Sequence, residues 1–407
     1  MYYILILIFF IFPVAAQANW SYLASMPTPR EGLTAVVLDG KIYAIGGKQQ
    51  GYSSLNVVEI YDPLINEWFT APPLMYERAY ASSVVFNDKI YLFGGRDGSD
   101  LVSEVEVYNP ETTEWSLINT LSPAREGLGA FTLGDSIILV SGHQLTTYSR
   151  RVNVFDPVQN QWMDDFTEIP SPHAGFGAAM LGDSMFVIGG VYYGVLDQVH
   201  ILYDGEWSEG ASLMIPLGNT ASCVSGDTIF VAGGFSGASE TDSTFYYNKT
   251  ENHWYFLSRM LEKRESHAMV SYDGRIYVMG GSREELSGRV YLATMETFEN
   301  SLMSLKDDEN YKNSLSFYSI VNYPNPFSEQ TSITITNPVS VFENLPVIIY
   351  NVFGEEVMSW SNILQKSTSV FQWNGFNLEG NPLPSGIYFI KVGGNYSAPV
   401  KKIIIVR

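Results

Sequence analysis

The sequence predicts an all-β chain, a six-bladed β-propeller followed by a small Ig-like β-sandwich. Three observations carry that expectation. An apolar run ending in two glycines recurs at intervals of 44 to 48 residues through the first three quarters of the chain. A tryptophan keeps the same beat. Residues 320–407 abandon the period and break into short β-rich runs separated by turn residues.

The glycine pairs are Gly46-Gly47, Gly94-Gly95, Gly189-Gly190, Gly233-Gly234 and Gly280-Gly281, with Ser141-Gly142 in the remaining slot. Trp20, Trp68, Trp115, Trp162, Trp207 and Trp254 each stand 26 or 27 residues before the next pair. Tyr61, Tyr108, Phe155 and Tyr247 precede their tryptophans by seven residues, whereas Tyr203 stands only four before Trp207, which accounts for the 44-residue step. Each unit divides into four short strands. In the second unit these are Ala81–Phe86, Lys89–Phe93, Glu104–Tyr108 and the strand carrying Trp115. The first turn, Asn87-Asp88 there, recurs as Asp39-Gly40, Gly134-Asp135, Gly182-Asp183, Gly226-Asp227 and Asp273-Gly274. These residues tolerate the positive φ of a tight hairpin. A four-stranded meander cannot bury both faces alone; repetition around an axis buries them and leaves only short edges.

The glycine pair, the spaced Tyr and Trp, and an arginine opening the first strand together resemble the kelch repeat over roughly residues 19–295. Glycine lets a sheet bend where neighbouring blades approach, and tryptophan fills the gap between them. The chain starts with a lone Trp strand, Asn19–Leu23, and its last unit has three strands ending near Val290–Met295 and no Trp. Joining the two ends makes six complete blades, with the N-terminal strand as the clasp.

Residues 1–18 read as a cleavable signal peptide. Ile4 to Ile11 is an unbroken apolar run, Pro13 breaks it, and Ala16-Gln17-Ala18 supplies a small-x-small site, so cleavage is expected between Ala18 and Asn19. The run is too short for a membrane anchor. With no second such segment, the mature chain is expected to lack a transmembrane anchor.

Residues 296–319 are polar and irregular and are expected to be a linker. Beyond them lie Tyr323-Pro324-Asn325-Pro326-Phe327, then Ile349-Tyr350-Asn351 with Gly354 and Val357, Trp373-Asn374-Gly375, Gly380, Ser385-Gly386-Ile387-Tyr388, and Lys401-Lys402-Ile403-Ile404-Ile405. These ordered blocks resemble the type A sorting domain of the type IX secretion system of Bacteroidota, over nearly all of residues 320–407. The resemblance implies passage through the periplasm, then delivery by the secretion machinery to the medium or the outer cell surface.

The 407 residues carry 43 acidic and 23 basic side chains, a net charge of −20. Residues 320–407 are neutral, with five of each, so the whole excess lies in the first 319. A body this acidic repels phosphate backbones, so nucleic acid is excluded as an expected partner. The single cysteine, Cys223, allows no internal disulfide and is expected to be a small buried apolar residue.

For chemistry the sequence offers little. The five histidines show no metal spacing, and no nucleophile elbow, phosphate loop or paired-carboxylate motif is present. No cofactor or metal is expected. One ring stands out: Arg30, Arg78, Arg125, His173, Leu217 and Arg264 each lie sixteen residues before a glycine pair or its Ser141-Gly142 equivalent. They open the innermost strands, and Glu31, Glu126 and Glu265 follow three of them. Arg30, Arg78, Arg125, His173 and Arg264 are therefore candidate ligand-binding residues for an anionic sugar or carboxylate. The alternative is that they pair with neighbouring acids or carbonyls. The loops after the glycine pairs share one face and carry Tyr52, Tyr148, Tyr192, Tyr193 and Phe235, which offer faces for stacking on sugar or peptide or pack locally.

The function expected is an exported binding protein that presents loops to a glycan or protein. The alternative is a sugar-acid enzyme like the kelch-type sialic acid epimerases or mutarotases, with a glutamate as base beside an arginine. An intracellular adaptor is opposed by the leader and by the tail.

Overall fold

In the computed structural model the described residues are 20–51, 54–163, 166–299, 319–336, 347–351, 355–360, 368–392 and 400–407. They contain no helix. The expected signal peptide with its Ala18/Asn19 site, Tyr52, and most of the expected linker lie outside them. The chain divides into two compact units, Met1–Asn300 and Ser301–Arg407.

The first unit holds six antiparallel four-stranded sheets. Blade 1 runs Thr34–Leu38, Lys41–Ile45, Val58–Asp62 and Glu67–Thr70, and each blade repeats that meander from inside to outside. Alternation sets the packing. In the second strand of every blade four consecutive residues are buried, as in Ile42–Ile45 and Ile90–Phe93, because both of its faces meet neighbouring blades. The outermost strands are largely exposed, as in Glu67–Thr70, where only Trp68 is half-buried.

Blade 6 is built from both ends of the unit. Ala268–Tyr272, Arg275–Met279 and Met295–Glu299 are completed by Trp20–Leu23, in the register Trp20↔Phe298 to Leu23↔Met295. The third strand therefore continues to Glu299, past residue 295 where the sequence reading ended the propeller. Residues Gly288–Tyr291 belong instead to a hairpin with Ser282–Glu285. The polar look of Glu296 and Thr297 hid the strand, although both are buried.

Backbone approach explains the glycine pairs. The second glycine of each pair donates its N–H to the carbonyl of the strand-opening residue in the next blade: Gly47 to Arg78, Gly95 to Arg125, Gly142 to His173, Gly190 to Leu217, Gly234 to Arg264 and Gly281 to Arg30, at 2.7–3.0 Å. The last of these links blade 6 to blade 1 and closes the circle. A Cβ on Gly94 would stand 2.3 Å from the Arg125 carbonyl oxygen, so no side chain fits there. On the outer side, Trp68, Trp115, Trp162, Trp207 and Trp254 donate their indole N–H to carbonyls of the preceding blade's outer edge, at Ala24, Pro72, Thr120, Thr167 and Ala211. Trp20 reaches the Ser258 hydroxyl instead.

The second unit is a sandwich of a three-stranded sheet (Ser319–Tyr323, Thr331–Thr336, Thr368–Trp373) and a four-stranded sheet (Glu356–Trp360, Val347–Tyr350, Gly386–Val392, Val400–Ile405). Ile333, Ile335, Val347, Ile349, Phe371, Trp373, Ile390 and Ile403 share one buried core. Within the Tyr-Pro-Asn-Pro-Phe block, Phe327 enters that core, and the Asn325 side chain bonds the final strand at the Lys402 carbonyl and the Ile404 N–H.

Candidate functional site

The strand-opening ring is present in space, but its side chains turn into the blades. Arg30, Arg125, His173 and Arg264 are 0% exposed and Arg78 is 1% exposed. The sixteen-residue spacing is a hydrogen bond: Arg78 Nη1 donates to Gly94 O at 3.0 Å, Arg125 Nε to Ser141 O at 2.6 Å and Arg264 Nη1 to Gly280 O at 2.7 Å, while His173 Nδ1 meets Gly189 O at 2.6 Å. Arg30 Nη2 donates instead to Ala44 O, two residues before Gly46, at 3.1 Å.

Each ring residue also has a partner in the third strand of its own blade. Arg30–Glu59, Arg78–Glu106 and Arg264–Glu296 are buried ion pairs at 2.6 Å. Arg125 Nη2 donates to Asn153 Oδ1 at 2.6 Å. In blade 4 the pair is His173 and His200, with ring centroids 5.0 Å apart and the Ser171 hydroxyl 3.2 and 3.1 Å from their Nε2 atoms. In blade 5, Leu217 takes the arginine position, and the hydroxyl of the corresponding Thr244 is buried without a partner.

The two members of the pair change together, as a structural pair does. Burial lowers the pKa of Arg30 and Arg78 against the pull of Glu59 and Glu106; it brings Arg125 down to about 10 and His173 to about 4. A ligand would have to displace these internal partners to reach the ring.

Two residues further on, the chain forms a collar around the channel. Gly32, Tyr80, Gly127, Gly175, Asn219 and Ser266 all have left-handed φ, between 49° and 64°. The N–H of Tyr80 donates to Gly32 O, Gly127 to Tyr80 O, Gly175 to Gly127 O, Ser266 to Asn219 O and Gly32 to Ser266 O, at 2.7–2.9 Å. The collar and the innermost strands together line an open space of about 210 Å³ that includes small residues such as Ala35, Ser83, Ala178 and Ser222. The collar escaped the sequence reading, although its fixed position, two after each ring residue and rich in turn formers, was a usable signal.

Between ring and collar, each blade places one residue in a two-residue bridge to its own loop: Glu31↔Lys48, Ala79↔Arg96, Glu126↔His143, Ala174↔Val191, Gly218↔Phe235 and Glu265↔Ser282. These twelve residues rim the loop-side mouth, and they divide it. Blades 6, 1, 2 and 3 contribute an ionic arc. Glu31 is 1% exposed and bonds Arg289, Lys48, the Tyr80 hydroxyl and the Ser282 hydroxyl. Burial alone would raise its pKa, but the Ser282 bond and the Arg289 and Lys48 charges overcome that and lower it.

Arg289 also holds Glu265 at 2.8 Å, and Glu126 meets Arg96 at 3.3 Å and His143 at 3.4 Å. Three acids lie beneath their cations, with side-chain exposure of 1%, 8% and 12% for Glu31, Glu265 and Glu126 against 30% and 32% for Arg289 and Arg96, while a fourth acid, Glu284, 57% exposed, meets Arg289 from outside at 3.3 Å. Blades 4 and 5 contribute an apolar arc of Val191 and Phe235, with Tyr192 and Tyr193 exposed on the loop above. Lys48 and Arg96 were missed although both stand directly after a glycine pair, a fixed position whose residue type varies from blade to blade, and Arg289 lies in a loop with no such period.

Family models place this geometry. The KLHDC2/KLHL20/DRC7 Kelch-repeats domain matches residues 17–190, the Kelch motif matches 216–261, and the Secretion system C-terminal sorting domain matches 321–406. Among curated relatives, Beta-scruin of Limulus polyphemus is 38% identical over 89 residues, 20% of this chain and 10% of that protein. Kelch-like protein 23 of Homo sapiens is 36% identical over 77 residues, 19% of this chain and 13% of its own length. Kelch repeat and BTB domain-containing protein 1 of Camelpox virus (strain CMS) is 27% identical over 279 residues, 66% of this chain and 40% of that protein. The chain thus spans at most two fifths of the length of these relatives. A solved structure titled Structure of YjhT superposes with a TM-score of 0.58 at 17% identity, covering 67% of this chain and 96% of that one; the likeness is one of fold. The chain is an exported kelch-repeat β-propeller protein carrying a secretion-system C-terminal sorting domain.

Proposed function

We propose that this protein is a secreted or outer-surface binding module that seats a glycan or protein ligand on the loop-side mouth of its propeller. Residues 1–18 act as the leader, cleaved between Ala18 and Asn19, and the propeller extends to Glu299. Residues 320–407 engage the type IX secretion machinery and deliver the protein, in a Bacteroidota cell, to the surface or medium. The sorting-domain match at 321–406 supports the delivery.

The observation that carries the binding reading is the divided rim. Cations face outward over buried acids on one arc and exposed aromatics stand on the other, in a body whose net charge is otherwise strongly negative. There the cations offset most of the acid charge, so an anion meets less repulsion at the mouth than over the rest of the acidic body. The alternative, a sugar-acid enzyme using a buried glutamate as base, is less favoured: the Ser282 hydrogen bond and the cations around Glu31 outweigh burial and hold its carboxylate below the ordinary range, which weakens it as a base.

The test is titration of the full mature chain against a panel of glycans and acidic peptides. At least one saturable ligand is expected, bound more weakly at higher salt. Arg96→Gln should weaken it about tenfold, the loss of one charge-assisted hydrogen bond. A ligand whose affinity ignores both salt and Arg96→Gln would remove the mouth from consideration.

A further inference from the structure

Resting on the mouth as the ligand site, we propose that Tyr148, Tyr192 and Tyr193 form a sugar-stacking subsite and that the ligand is an acidic glycan whose carboxylate reaches Arg96. The three rings sit on loops of two adjacent blades. Tyr148 closes the blade 3 hairpin of His143–Gln144 and Thr147–Tyr148, and Tyr192 and Tyr193 form the tip of the blade 4 loop between the bridged Val191 and Val195. The ring centroids make a near-equilateral triangle, 5.5 Å from Tyr148 to Tyr192, 5.5 Å from Tyr148 to Tyr193 and 4.8 Å between Tyr192 and Tyr193.

Contact among the rings restricts their orientation, which reduces the side-chain freedom to be lost on binding. Folding does not explain Tyr193. The residue is 81% exposed, and its φ of 52° is in the left-handed region that a bulky residue avoids. An exposed aromatic held in a strained backbone at a binding mouth is the pattern of a residue kept for contact.

The cluster is joined to the ionic arc by a continuous path. Tyr148 packs 4.8 Å from the His143 ring, His143 Nδ1 is 3.4 Å from Glu126 Oε1, and that oxygen is 3.3 Å from Arg96 Nη1. The path runs from aromatic faces to a half-exposed guanidinium whose Nε is buried without a partner. A ligand that fits both ends has an apolar ring face and an anionic group, which an acidic oligosaccharide combines.

A peptide bound by strand addition is the weaker fit, because that mode needs free backbone groups. At this mouth the bridge residues have spent theirs on each other: Glu31 and Lys48, Ala79 and Arg96, Glu126 and His143, Ala174 and Val191, Gly218 and Phe235, and Glu265 and Ser282 each exchange N–H and C=O bonds in both directions. Recognition is left to side chains.

The experiment uses the full mature chain on a printed panel of acidic glycans, their neutral counterparts and glutamate-rich peptides, with solution titration of the best binder. Acidic glycans are expected to be retained. Tyr193→Gly, which removes the ring and relieves the left-handed strain, should weaken them about tenfold or more with the melting temperature unchanged. Arg96→Gln should weaken acidic glycans and leave any neutral counterpart unaffected. Retention of peptides alone, with affinity dependent on Arg96 and indifferent to Tyr193→Gly, overturns the glycan inference and leaves the mouth as the site. Glycan binding untouched by Tyr193→Gly also overturns it. Failure of every probe to bind overturns both readings.

Discussion

Blades 1, 2 and 6 hold a buried Arg–Glu pair at the position where blade 5 holds Leu217 and Thr244, yet all of them make the same sheet and the same inter-blade links. The link that joins blades is made by backbone, from a glycine N–H to a carbonyl, and is indifferent to the side chain at the carbonyl's residue. What the arginine adds lies inside its blade. Its Glu106 partner, for instance, also accepts the N–H of Met75 and so fastens the incoming connection from blade 1. Blade 5 does without the ion pair because an apolar partner needs no compensation.

Breaking one ion pair should give the largest effect. Arg78→Ala leaves Glu106 buried and uncompensated and should cost about 3–5 kcal/mol in denaturant unfolding of the propeller. Installing the blade 5 solution, Arg78→Leu with Glu106→Thr, should recover most of that loss, since the two sites act as one unit. A single substitution costing under about 1 kcal/mol would mean that the pair is dispensable and that blade 2 already behaves like blade 5.

Blade 4 sharpens the comparison through pH. Burial lowers His173 to about 4 and His267, beside blade 6, to about 3. The unfolded chain titrates these groups near 6.5, so between the two values it binds more protons than the folded one. Stability should therefore be fully present above about pH 7, fall as pH drops through 6.5 toward 4, and cost about 3 kcal/mol from His173 alone. Melting temperature against pH reads this directly. His173→Leu with His200→Thr should flatten part of the slope; a slope that is unchanged assigns the acid loss elsewhere.

The smallest effect expected is a gain. Thr244 Oγ1 is buried without a hydrogen-bond partner, and Thr244→Val replaces it with a methyl. Thermal unfolding should show a stabilisation of up to about 1 kcal/mol, because the orphaned hydroxyl no longer pays for desolvation. A destabilised variant would reveal that the hydroxyl has a role that the side chains around it do not display.

Periodicity made the propeller and its blade number legible. Glycine pairs and tryptophans repeat because every blade faces an identical neighbour, so the same backbone approach and the same gap recur at each junction. The ring at Arg30, Arg78, Arg125, His173 and Arg264 was equally visible, and its spacing of sixteen corresponds to a hydrogen bond made in four of those five blades. The end of blade 6 was misplaced, because Met295–Glu299 becomes a strand only when Trp20–Leu23 arrives from the other end of the chain. Local polarity cannot announce a partner that distant.

What the sequence by itself determined is therefore what repeats: six blades, their tight turns, their closing glycines and the separate sandwich that follows them. Only the tertiary structure decided which way the ring arginines point and what stands at the mouth. Direction depends on whether a polar third-strand partner such as Glu106 or Asn153, each 28 residues away, is brought within reach inside the blade. The rim depends on loops of different blades meeting over the channel, as when Arg289 joins Glu31 to Glu265 and Tyr148 packs on Tyr192. Such contacts join residues with no fixed separation along the chain, so they leave no period to read; closure of the ring alone creates them.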